Sequence, residues 1–113
     1  MVQNRNKLIG LFISNIANAI VHRILERAID NDNIRDHYDK ELKASFNKAK
    51  IYREKINPVN KTLPDKDTSY VKNKIIRKVK AELELRISKG YENIDLELVD
   101  SLVKDSLKEM NVE

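Results

Sequence analysis

Apolar residues recur at intervals of three and four along most of the chain, the period of helices that bury one side. Ile9, Ile13, Ile16, Ile20 and Ile24 form the first series and predict helix one over residues 6–29. The run Asp30-Asn31-Asp32-Asn33 breaks it. Such side chains bond nearby backbone, so Asp32 or Asn33 is expected to cap helix two. The second stripe is Ile34, Tyr38, Leu42, Ser45 with Phe46, Ala49, Tyr52 and Ile56, over residues 34–56. Lys43, Asn47, Lys50 and Glu54 lie opposite it. Asn57-Pro58 ends this helix, because a residue before proline is pushed out of the α region.

A connector over 58–67, with Pro64 inside it, is the longest irregular segment and is expected to be the most mobile. Val71, Ile75, Ile76, Val79, Leu83 and Ile87 then predict helix three over 68–89. Gly90 is a stop signal, since glycine accepts the left-handed backbone there. Asp95 is expected to cap helix four, with Ile94 and Val99 spaced as a hydrophobic staple. Helix four presents Leu96, Val99, Leu102, Val103, Leu107 and Met110, and is expected to fray after Asn111.

The pattern predicts an all-α fold: a four-helix bundle of two antiparallel helical hairpins, in one domain over 1–113. With two glycines and two prolines, the chain lacks the frequent turns of an all-β fold. A hydrophobic fraction of 41% supports a packed core, and a charged fraction of 35% suits solvated outer faces.

Helix one carries more than one apolar stripe. Leu8, Leu11, Phe12 and Ala19 lie away from the isoleucine series, and Val21 and Leu25 occupy another side. A surface helix needs only one stripe, so either the other three helices or a second chain must cover the excess. Gly10, Ser14 and Asn18 recur at i,i+4 and allow close backbone approach, and a buried Asn can fix helix register. These features point to a homodimer, the commonest oligomer, with Leu8, Leu11, Phe12, Ser14 and Asn18 at its interface. The uncharged run from Leu8 to His22, after Arg5 and Lys7, resembles the start of a signal peptide. Ser14, Asn15 and Asn18 interrupt it, no small-residue cleavage pattern follows, and 15 residues fall short of the roughly 20 that span a bilayer. The expectation is a buried helix in a cytoplasmic protein with no membrane partner.

Charge is unevenly distributed. Residues 43–80 hold 12 basic and 3 acidic side chains, whereas residues 81–113 hold 4 basic and 9 acidic. Lys72, Lys74, Arg77, Lys78 and Lys80 fall within nine residues with no acid among them. Lys43, Lys50 and Arg53 of helix two are expected to add to this field. Such a helix can neutralise phosphates or meet an acidic protein. The alternative is a solvated lysine face. Aromatic side chains for stacking are scarce, since Tyr38 and Tyr52 lie on the apolar stripe.

His22 with Glu26 and His37 with Glu41 are each spaced i,i+4, and a hairpin sets His22 level with Glu41. Two imidazoles and two carboxylates are legitimate zinc or iron ligands. The Glu-x-x-His spacing of di-iron bundles is absent, however, and ordinary helix-stabilising pairs explain the residues equally well. The absence of Cys excludes disulfides and thiolate chemistry, and two glycines leave no phosphate loop. No catalytic residue or cofactor is expected. The sequence therefore reads as a non-enzymatic helical interaction protein, acting through oligomerisation and a macromolecular partner. Nucleic-acid binding through helix three is the first alternative, and a metal-binding bundle is the second.

Overall fold

A computed structural model describes residues 5–28, 31–57 and 62–113. They form four helices, α1 (Arg5–Ala28), α2 (Asp32–Ile56), α3 (Asp65–Ser88) and α4 (Leu98–Glu109), with no strand among the described residues. The expected Ile29 end of helix one, Asp30 and the 58–61 part of the connector lie outside these residues. The molecule extends 43 × 24 × 22 Å. A helix of 24 residues is about 36 Å long, so the long axis follows from the length of α1.

α1 is the centre of the fold. The other three helices each pack on it, and α4 also packs on α3. Eleven of its residues are buried, against four in each other helix. They include the isoleucine series and also Leu8, Phe12, Ala19, Val21 and Leu25. The excess apolar surface expected to need a second chain is thus covered by this chain's own α2, α3 and α4. Leu8 and Phe12, expected at an oligomer interface, belong to the monomer core. α1 is long and apolar enough to cross a membrane by length and composition, so measuring only the uncharged run understates it. The same helix is mostly buried within the fold.

Helix ends follow local chemistry, with shifts from expectation. Asn31, not Asp32 or Asn33, caps α2, and its side chain accepts from the backbone N–H groups of Asn33 and Ile34. α3 starts directly after Pro64, three residues before the expected Thr68. Pro64 is the N-cap, its fixed φ fitting the extended backbone that enters the helix, and Asp65 and Asp67 complement the helix N-terminus. The connector is anchored at this end: Leu63 is buried, and its N–H donates to the Val112 carbonyl. Gly90 adopts φ +100°, and the N–H groups of Gly90 and Tyr91 donate to the carbonyls of Ile87 and Arg86. That is the Schellman arrangement expected of a glycine stop.

Asp95 opens a turn before α4, its side chain accepting from the Glu97 N–H. α4 ends on a second Schellman turn, with Asn111 at φ 57° and the Val112 N–H on the Leu107 carbonyl. Val112 is fully buried, so the expected fraying after Asn111 is replaced by a docked tail. The clamp on that tail is Arg53, which is 1% exposed. Its guanidinium donates to the carbonyls of Met110 and Asn111 and to the Asn57 side chain. Arg53 is therefore part of the interior and not of the basic field on helix two. Burial pulls its pKa below the ordinary arginine value.

Candidate functional site

The buried row Val71, Ile75, Val79 and Leu83 turns one side of α3 inward and leaves the opposite side in solvent. Helical periodicity places Lys66, Tyr70, Asn73, Lys74 and Arg77 on that outer side, and all five are exposed. Lys78 is exposed on the flank toward α1. Lys72 and Lys80 are half-buried at the other border, where Lys80 pairs with Asp100 of α4 at 3.7 Å. No described carboxylate lies within 4 Å of Lys72, Lys74, Arg77 or Lys78. Of the five expected basic residues, the structure thus presents three outward, half-covers Lys72, and commits Lys80 to an ion pair.

Tyr70, which the apolar stripes do not single out, sits in the middle of this row. The residue is 53% exposed, and the Lys74 Nζ lies 5.9 Å from the ring centroid. The signal in the sequence is its place four residues before Lys74 and next to the inward Val71. Arg5 pairs with Asp67 at the start of α3, removing one of the few acids near the row. Glu82 and Glu84 bound the row at its far end.

Between α1 and α3 runs a groove of about 530 Å³, lined by Ser14, Ala17, Asn18, Val21, Lys78, Ala81, Glu82 and Leu85. Two expected interface residues, Ser14 and Asn18, line it, and Leu11 is half-buried. Asn18 is exposed, so it does not act as a buried register-setting polar group. The partly buried asparagine of α1 is Asn15, which donates to the Leu11 carbonyl within the same helix.

The His/Glu constellation comes together only in part. Glu41 sits near both imidazoles, with its carboxylate 3.7 Å from His22 Nε2 and 3.2 Å from His37 Nε2. Glu26 instead lines a recess with Arg23, Arg27, Asp39 and Leu42. Among the described residues, no group of three or more His, Asp or Glu side chains is arranged to hold a metal ion. The metal reading from i,i+4 spacing therefore loses its fourth residue to the other flank of the helix pair.

What surrounds His22 is instead an aromatic and ionic stack. Its ring stacks on Tyr38 with centroids 5.5 Å apart, and among the described residues the buried His22 Nδ1 has no hydrogen-bond partner. Arg86 reaches the Tyr38 hydroxyl at 3.5 Å, pairs with Glu82 and covers the Tyr91 ring. Burial lowers the His22 pKa, with the nearby Glu41 charge opposing. Burial and the Tyr91 hydroxyl raise that of Tyr38. These side chains knit α1, α2 and α3 together at one end.

No protein-family model, curated protein or solved structure matches the chain.

Proposed function

We propose that the protein is a non-enzymatic helical interaction protein that binds an acidic macromolecule through the outer face of α3. The observation that carries this reading is the row Lys74, Arg77 and Lys78: exposed, clustered and clear of described carboxylates within 4 Å. Three cations in a row desolvate little and neutralise the regularly spaced charges of a polyanion. The sign asymmetry of the chain points the same way, because the acids of α4 take up only Lys80 of this cluster.

The test is fluorescence anisotropy of a labelled polyanion at about 50 and 200 mM salt. Binding is expected to weaken steeply with salt. Alanine at Lys74, Arg77 and Lys78 together should flatten the slope of log K against log[salt] by roughly 2–3. No binding at low salt, or binding unchanged in the triple variant, ends this reading.

A second reading keeps self-association on narrower ground than the sequence suggested. Leu85, 48% exposed, offers apolar surface at the rim of the α1–α3 groove, above the buried Ala17 and Val21 that line it. We read the working unit in that case as a two-fold dimer, each copy a bundle of two antiparallel hairpins. The opposition of His22 to Glu41 supports that hairpin for α1 and α2, and the Lys80–Asp100 pair supports it for α3 and α4. Sedimentation equilibrium tests the dimer. A monomer at all concentrations, or a dimer that Leu85→Glu leaves intact, removes this interface.

A further inference from the structure

Resting on the α3 binding face, we propose that its partner is a single-stranded nucleic acid, with Tyr70 as the stacking platform for an unpaired base. An acidic protein or a duplex needs only the positive row. Neither explains a tyrosine left half in solvent at the centre of that row. Lys66, Tyr70, Lys74 and Arg77 are spaced by four, four and three residues, so they follow one line along the helix. That line is about 16 Å long, with a cation on each side of the ring. Lys74 Nζ at 5.9 Å keeps positive charge beside the ring edge or face, where a nucleotide's phosphate would follow its base.

The chemistry of the row matches what strands with unpaired bases offer. Every base has a π-face, so one tyrosine captures bases without reading sequence, while lysine and arginine track the backbone. A duplex hides those faces inside its stack. The amide of Asn73, exposed on the same side, supplies a neutral donor and acceptor in addition to the Tyr70 hydroxyl. With a single ring and few polar readers, the expected selectivity is for strandedness rather than sequence. Tyr70 is also free of structural duty: it is absent from the core, and its described ring contact is to a lysine on its own helix. Replacing it should leave the fold unchanged.

The experiment compares labelled oligo(dT), a duplex of the same length and poly-glutamate by anisotropy at low salt, using the full chain and its Tyr70→Ala and Tyr70→Phe variants. Circular dichroism confirms equal helicity. The expected result is tighter binding of oligo(dT) than of either competitor. Tyr70→Ala should raise its Kd about tenfold, with Tyr70→Phe close to wild type and duplex binding unaffected by either change. Equal affinity for all three probes, with Tyr70→Ala without effect, overturns the stacking proposal while leaving the electrostatic face intact. Preference for poly-glutamate assigns the face to an acidic protein instead. Failure to bind any probe sinks both the stacking proposal and the α3 face.

Discussion

Arg53 Nε donates to the carbonyl of Met110 at 2.9 Å, tying the last turn of α2 to the end of α4 across 57 positions of sequence. A second nitrogen of the same side chain reaches the Asn111 carbonyl at 2.7 Å. Carbonyls at and just past a helix C-terminus lack intrahelical partners, and a planar fork of donors meets two of them at once. Replacing Arg53 with Met keeps much of the volume and strands these acceptors. The expected loss is about 3 kcal/mol of unfolding free energy, read from the urea midpoint. Arg53→Lys should recover only part of it, because one ammonium cannot span the same fork. An unchanged midpoint in Arg53→Met would show that the clamp contributes nothing.

His22 gives the fold a pH dependence whose sign follows from its burial. Burial lowers its pKa, Arg86 and His37 reinforce the shift, and Glu41 and Glu82 oppose it. The unfolded chain, with an imidazole near its ordinary value of about 6.5, binds this proton more readily than the folded one. The stabilisation is fully present above that value and is lost as pH falls through the lowered native value. Thermal unfolding from about pH 7.5 down to about pH 5 should show a steeper fall in Tm for wild type than for His22→Gln. Parallel falls would assign the acid sensitivity to other groups.

The two glycines should respond oppositely to alanine. Gly10 is helical and exposed, and among the described residues no side chain would lie within 4 Å of a methyl carbon added to it. Gly10→Ala removes backbone freedom from the unfolded chain and should stabilise by about 0.5–1 kcal/mol. Gly90 holds φ +100°, which a β-carbon opposes, so Gly90→Ala should destabilise by about 1 kcal/mol or more. Both are read by urea unfolding. A destabilising Gly10→Ala would point to a close approach at that position in the working assembly.

A core truncation separates α1 from the other helices. Phe12 and Ile16 are fully enclosed, and Phe12→Ala should cost about 3–5 kcal/mol. Ile34, exposed on the expected stripe of α2, should tolerate Ala with little change. If Phe12→Ala is tolerated equally well, α1 is not the centre of the core.

The helices were legible because apolar spacing reports directly on which side is buried, and Gly90 and the Asn/Asp run carry their conformational preferences locally. The interior role of Arg53 was not legible. Helical pattern assigns arginine to solvent, and the acceptors that retain it come from a distant turn. The burial of α1 on several sides was visible as an excess of apolar residues. Its cover was not, because one sequence cannot distinguish three helices of the same chain from a neighbouring chain. At the candidate site, the lysine run was plain from composition. Lys80 left it through a partner in α4, and Tyr70 was obscured because counting aromatics on the apolar stripes directs attention away from the polar side.

The central position of α1 also has a consequence for biosynthesis. It precedes in sequence every helix that covers it, yet on its own is long and apolar enough to cross a membrane. At roughly 5–20 residues per second, the ribosome needs several seconds after making α1 to complete α4. Throughout that interval the most apolar segment of the chain is without its final neighbours. The nascent chain, more than the finished fold, is therefore the state in which this protein competes with aggregation and membrane-targeting factors.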